Sequence, residues 1–167
     1  MSTNDKPLGS SRTRNGSETG LRHRNLPLLL LHARESVIAQ FRPVLNAYGV
    51  TEQQWRIVRA LLEHGSLEPR QIVDVCRISS PSLAGVLARM DDLGLVQRRR
   101  LEHDQRRLHV SLTPKGLALA AELGPRVEDA YQALEEMLGE RLNSQLYRAL
   151  DQTLERMGVA PFDQFMD

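Results

Sequence analysis

Residues 79–116 read SSPSLAGVLARMDDLGLVQRRRLEHDQRRLHVSLTPKG, and this stretch decides the fold. Ser79-Ser80-Pro81 is a helix start, because a hydroxyl ahead of the first turn accepts from its unpaired N–H groups and proline is tolerated there. Leu83, Val86, Leu87 and Met90 then recur at helical spacing, which predicts a buried stripe on a helix running to about Asp92. Leu93-Gly94-Leu95 stops it. Val96–Leu101 and Leu108–Leu112 are rich in strand formers and alternate in part, so the polar segment Glu102–Arg107 between them reads as the charged tip of a hairpin. Thr113-Pro114-Lys115-Gly116 opens another helix, which continues to about Leu138 with Pro125 as a point of kinking.

Upstream, Thr51-Glu52-Gln53-Gln54 has the capping-box pattern, in which each end residue bonds the backbone of the other. It predicts a helix to about Glu63 with Trp55, Val58, Leu61 and Leu62 inward. His64-Gly65-Ser66 breaks the chain. A short helix over Glu68–Cys76 follows, with Pro69 in its first turn and Ile72, Val73 and Cys76 facing the core. Further upstream, Leu30, Leu31, Arg34, Val37, Ile38, Phe41, Val44 and Leu45 predict a helix over Leu28–Tyr48, kinked at Pro43 and ended by Gly49. The last helix is expected over Asn143–Met157. Residues 1–25 are polar and lack periodicity; they read as a disordered tail, either a solvated leader or a basic arm on DNA.

A short helix, a turn, a second amphipathic helix and then a β-hairpin is the order of a winged helix-turn-helix. The fold class expected is therefore mainly α, with a winged helix-turn-helix lobe over 51–113 and N- and C-terminal dimerisation helices over 26–50 and 114–167. The flanking helices are too apolar to stay exposed, and burying them against each other makes a homodimer. A two-fold dimer reads two half-sites about one helical turn, roughly 10 bp, apart on double-stranded DNA.

Composition agrees. The chain of 167 residues is 41% hydrophobic and 26% charged, enough for one soluble domain with appendages. The longest apolar run, Leu26–Leu31, is far short of the roughly 20 residues of a membrane span, and residues 1–25 show no signal peptide, so no membrane partner and a cytoplasmic location are expected. One cysteine, Cys76, excludes a disulfide framework; it reads as a buried structural thiol rather than a redox sensor. His23, His32, His64, His103 and His109 are scattered without metal-ligand spacing, so neither a metal nor another cofactor is expected. No Gly-x-Ser-x-Gly, phosphate loop or paired-acid motif points to an enzyme, and no catalytic residue is assigned. The net charge of +1 hides two basic segments. Lys6, Arg12, Arg14, Arg22 and Arg24 outweigh Asp5 and Glu18; Arg98, Arg99, Arg100, Arg106 and Arg107 outweigh Glu102 and Asp104. Such patches suit phosphate. The rival reading is a winged-helix protein–protein adapter that does not bind DNA, since fold alone does not give function.

Leu93-Gly94-Leu95-Val96, Asp104-Gln105-Arg106-Arg107 and Leu112-Thr113-Pro114-Lys115-Gly116 resemble the MarR family of bacterial transcription regulators, over roughly residues 26–157. Within it, Ala33-Arg34-Glu35, Phe41-Arg42-Pro43, the segment Thr51–Arg59 and Asp104-Gln105-Arg106 are most similar to the repressors of homoprotocatechuate degradation operons. One departure is that Arg107 and Leu108 follow where the family often continues its wing tip as Asp/Ser-x-Arg. The resemblance implies a repressor of an aromatic catabolic operon, released from a palindromic operator by a small aromatic acid such as homoprotocatechuate or hydroxynicotinate.

The face of the second helix opposite its apolar stripe offers Ser79, Ser80, Ser82, Gly85 and Arg89 to the major groove, with Ser80 alternatively serving only as a cap. Glycine at 85 lets the backbone approach closely. Arg106 resembles the family's minor-groove arginine, where a narrow groove concentrates negative potential; Asp104 is expected to accept from it and hold its fork. Arg98, Arg100 and Arg107 supply phosphate contacts, with Arg99 on the opposite strand face. The family's effector crevice implies a site for an aromatic carboxylate, which needs a guanidinium and a flat apolar wall. Arg34 or Arg56 can hold the carboxylate, Trp55 or Phe41 can pack on the ring, and His32 or Ser36 can meet a ring substituent. Trp55 can equally be a core anchor, and Arg34 can equally pair with Glu35 or with a partner subunit.

Overall fold

The computed structural model describes residues 22–101 and 104–159, with the side chains of 101–106 left out. The expected tail therefore lies mostly outside the described residues, as do the side chains of Asp104 and Arg106. Among the described residues six helices and three strands follow in order: α1 (Leu26–Ala47), α2 (Glu52–His64), β1 (Ser66–Leu67), α3 (Pro69–Cys76), α4 (Ser80–Asp92), β2 (Val96–Leu101), β3 (Asp104–Leu112), α5 (Pro114–Leu138) and α6 (Glu140–Arg156). The fold is a mainly α winged helix-turn-helix.

The chain divides into two compact units, residues 1–35 and 36–167. In the first, Asn25 Oδ1 accepts from the Leu28 amide at 3.0 Å and so caps the start of α1. Leu28 to Leu31 are exposed there, and Arg34 Nη1 lies 2.8 Å from Glu35 Oε1.

In the second unit, α1 continues through Pro43 and closes at Gly49, whose positive φ (66°) the glycine signal anticipates. The capping box forms as read: Thr51 Oγ1 accepts from the Gln54 amide at 3.2 Å, and Gln54 Oε1 accepts from the Thr51 amide at 2.9 Å. The main core gathers Ile57, Val58 and Leu61 of α2, Ile72 and Cys76 of α3, and Leu83, Leu87 and Met90 of α4 beneath the sheet. Leu62, expected inward, is exposed, because Ile57, Val58 and Leu61 already take the inner stripe of α2. A second core joins Phe41 and Leu45 of α1 to Leu123 and Val127 of α5. Trp55 and Leu119 pack against both cores.

The sheet runs β1-β3-β2, all antiparallel. β1 falls where the sequence suggested only a break; two residues are too few to show periodicity, and pairing with Val110 and Ser111 makes the strand. β3 begins at Asp104 rather than Leu108, because backbone pairing extends past the apolar residues. Likewise α6 starts at Glu140 rather than Asn143, directly after Gly139 (φ 77°).

The joint between α4, the wing and α5 is tightly built. Thr113 Oγ1 donates to the Gly94 carbonyl at 2.6 Å and accepts from the Gly116 amide at 3.1 Å. Lys115 Nζ donates to the Leu93 carbonyl at 2.8 Å. A Cβ on Gly116 would stand 2.2 Å from the Leu95 carbonyl oxygen, which explains glycine at this position sterically. Gly116→Ala is accordingly expected to cost about 1–3 kcal/mol, the usual range for overpacking, measured by urea unfolding; unchanged stability would show that the joint yields freely.

Candidate DNA-binding face and ligand cavity

α4 presents two unlike sides. Leu83, Leu87 and Met90 are buried, whereas Ser79, Ser80, Ser82, Gly85 and Arg89 are all exposed. The N-cap residue is Ser79, not Ser80, and its side chain makes no capping bond; its hydroxyl donates to Ser82 Oγ at 2.9 Å. Ser80 is thereby released from the cap role and stands on the exposed first turn. A Cβ on Gly85 would meet nothing within 4 Å, so packing within the chain does not demand glycine there. Arg89 has no ion-pair partner among the described residues.

In the wing, cross-strand pairing puts Arg98 opposite Val110 and Arg99 opposite His109, so alternation sends these two arginines to opposite faces. Arg98 Nε lies 3.6 Å from Asp91 Oδ2 of α4, and Arg107 Nε lies 3.0 Å from Glu68 Oε1 at the start of α3. These pairs tie the wing to α4 and to the start of α3.

A cavity of about 390 Å³ opens within the second unit, between α1, α2 and α5. Phe41, Trp55 and Tyr131 supply its aromatic walls, with Phe41 and Tyr131 edge-to-face at 4.6 Å between centroids. Arg59 Nη1 donates to the Tyr131 hydroxyl at 3.1 Å, and the Arg59 guanidinium carbon lies 5.9 Å from the Tyr131 ring centroid. Arg56 Nη1 donates to the Cys76 carbonyl at 2.6 Å and Nη2 to Glu52 Oε1 at 2.7 Å. A concave aromatic site with two guanidinium groups and a phenol can take a flat anion.

These features have counterparts in known proteins. The MarR family matches residues 48–107. The HTH-type transcriptional regulator FarR of Neisseria gonorrhoeae is 42% identical over 121 residues, spanning 72% of this chain and 83% of its own. The chain belongs to the MarR family. The homoprotocatechuate degradative operon repressor of Escherichia coli is 39% identical over 130 residues, 78% of this chain and 88% of its own. The crystal structure of NadR in complex with 4-hydroxyphenylacetate superposes with a TM-score of 0.69 at 39% identity, covering 81% of this chain and 96% of NadR. As a MarR-family member the protein is a DNA-binding transcription regulator, not an enzyme. No helix among its described residues is long and apolar enough to cross a membrane.

Of the effector residues expected for this MarR-family chain, the cavity gathers Phe41, Trp55 and Arg56. Trp55 is both wall and core anchor. Ser36 is exposed on α1, and His32 and Arg34 are exposed in the first unit, Arg34 beside Glu35. Sequence reading missed Arg59 and Tyr131. Arg59 was accessible to it, standing four residues after Trp55 on the same face of α2; Tyr131 was not, being brought in by tertiary packing alone.

Cys76 also lines the cavity, and burial pushes its thiol from 9.0 to about 11, with Arg56 pulling it down and Glu63 adding to the rise. The folded state thus holds this proton more tightly than the unfolded chain. Its contribution to stability is complete below pH 9 and is lost as pH rises from 9 to about 11. Thermal melts of wild type and Cys76→Ala across pH 8 to 11 are expected to converge in that window; parallel curves would contradict the shift. A second expectation concerns Gly85: Gly85→Ala should raise stability by about 0.5–1 kcal/mol in chemical denaturation, because a helix-interior glycine carries that cost. A loss of stability would mean the fold itself needs the glycine.

Proposed function

We propose that the protein is a homodimeric repressor of an aromatic-compound catabolic operon, released from a palindromic operator when a small aromatic carboxylate occupies the α1–α2–α5 cavity. The observation that carries this is the Arg59–Tyr131 pair set among Phe41 and Trp55. A guanidinium and a phenol 3.1 Å apart offer two donors to one carboxylate, and the aromatic walls suit the ring that bears it. NadR is solved with 4-hydroxyphenylacetate and the Escherichia coli relative is named for homoprotocatechuate, both hydroxylated aryl acetates; hydroxynicotinate shares with them only a hydroxylated aromatic ring and a carboxylate.

DNA binding falls to α4 and the wing. Ser80, Ser82 and Arg89 face the major groove, Gly85 gives the backbone room, and the wing tip that carries Asp104 and Arg106 in its sequence is assigned to the minor groove. Ser79 positions Ser82, and Arg98 and Arg107 reach phosphates as their carboxylate partners let go. Dimerisation is supported by apolar side chains a single copy leaves in water. On α6, Leu142, Leu146, Leu150 and Leu154 are between 38% and 52% exposed; Leu28 to Leu31 of the first unit are similarly bare. The acid favours the DNA-incompetent arrangement only as far as it binds that arrangement better.

The test is operator binding on the DNA upstream of the protein's own gene, with and without 4-hydroxyphenylacetate. The acid is expected to release the DNA, and binding without acid should weaken steeply with salt as phosphate contacts shed counterions. Arg59→Met should weaken acid binding by roughly tenfold or more, since a hydrogen bond to a charged group is worth about 1.5–3 kcal/mol. Binding that ignores every hydroxylated aryl acid would sink the effector class. No salt-dependent duplex binding would restore the adapter reading.

A further inference from the structure

The cavity and the DNA-reading helix pair share one side chain. Arg56 lines the cavity from α2, yet its Nη1 is bonded to the carbonyl of Cys76, the last residue of α3. Carbonyls at a helix end have no intrahelical partner, and a cation there also opposes the negative end of the helix dipole. Beyond this bond the chain turns within two residues. Arg77 is left-handed (φ 49°), the only non-glycine residue with positive φ among those described; Ile78 is buried; Ser79 then takes the N-cap position of α4. A left-handed arginine is held by its surroundings rather than by its own preference, so the turn depends on neighbouring contacts such as the Arg56 bond.

The Arg56 side chain is 35% exposed, within reach of a molecule in the cavity. It stands one helical turn before Arg59, so both guanidinium groups serve one face of α2. Its second nitrogen is held by Glu52, a carboxylate that a ligand carboxylate can replace.

We propose that Arg56 is the positioning residue that carries the ligand's presence from the cavity to α4. An anion seated on Arg59 and Tyr131 draws the Arg56 guanidinium off the Cys76 carbonyl, and the α3–α4 turn loses the bond that fixes its angle. The ligand gains the Nη1 donor of Arg56 only in the released arrangement, and that difference in affinity shifts the protein away from DNA. Glu52 sets the threshold by competing for the same guanidinium. This inference rests on the proposed function, because it needs an anionic effector in this cavity.

The experiment uses the full chain and 4-hydroxyphenylacetate, with two separate readouts. Trp55 is the chain's single tryptophan and a wall of the cavity, so its emission reports occupancy. Anisotropy of labelled upstream DNA reports operator affinity, and the ratio of Kd with saturating acid to Kd without it is the coupling. In wild type a coupling of about tenfold or more is expected, within the usual allosteric range. Arg56→Gln should still show Trp55 titration, with a midpoint raised by up to roughly fivefold because the ligand no longer gains this guanidinium, while its coupling at saturating acid falls below about twofold. Arg56→Lys keeps the charge without the fork and should fall between; it carries the test if Arg56→Gln does not fold. A folded Arg56 variant that binds acid and keeps the wild-type ratio overturns the inference and leaves the proposed function standing. A variant that no longer binds acid makes Arg56 a holding group and also overturns it. Wild type that shows no Trp55 response, or fills without releasing DNA, defeats the proposed function and this inference together.

Discussion

The close approach of the first turn of α5 to the Leu95 carbonyl is the constraint on which the DNA-binding lobe depends. Only a hydrogen fits between Gly116 and that oxygen. The Thr113 amide donates to the same carbonyl at 3.1 Å, and its hydroxyl ties Gly94. The end of α4, the first residue of β2, the last residue of β3 and the start of α5 all meet here. One joint therefore sets the angle of the reading helix, the root of the wing and the direction of the long helix. The remaining wing ties, Arg98–Asp91 and Arg107–Glu68, are exposed pairs of the kind worth about 0–1 kcal/mol. They orient the wing against the helices at little cost.

α2 occupies the corresponding position on the cavity side. Its inner stripe of Ile57, Val58 and Leu61 belongs to the lobe core, while Trp55 packs on both cores. The arginines of the same helix leave that apolar contact and turn to the cavity. One short helix thus carries the packing that holds the lobe together and the charges that a ligand can reach, which places any ligand-driven shift of α2's partners next to the α3–α4 turn.

Rules that act over a few residues make much of the fold legible in the sequence. The capping box at Thr51, the stop at Gly49, the proline-opened helices and the alternating strands around the charged tip are all of this kind, and each recurs in the structure. What was not legible depended on distance. β1 exists because Val110 and Ser111 offer it a partner, not because Ser66-Leu67 favours a strand. Leu62 lost the inner face to Ile57, a competition decided by what packs opposite. In the site, Arg56 was readable as a cation beside Trp55, but its bond to a carbonyl 20 residues away was not. Arg59 owes its meaning to Tyr131, 72 residues later. The serine cluster was readable as polar; that Ser79 rather than Ser80 takes the cap position depended on where the helix begins, a boundary sequence patterns fix only to within a residue or two.

The two cavity arginines differ in what they are fastened to, and that difference is what a switch requires. Arg59 is bonded to Tyr131, whose ring is set edge-on against Phe41, and its Nη2 also lies 3.4 Å from Glu63 Oε1. Moving Tyr131 would mean repacking aromatic side chains, which a close-packed interior resists. Arg56 is bonded to a helix end beside a left-handed turn, where one hydrogen bond can be exchanged for another without moving a core. A ligand held by Arg59 alone would be bound and transmit nothing; one held by Arg56 alone would meet no fixed wall to pull against. Placing both one turn apart on α2 would give a bound anion a rigid side and a yielding side, and the yielding side is tied to the turn between α3 and α4.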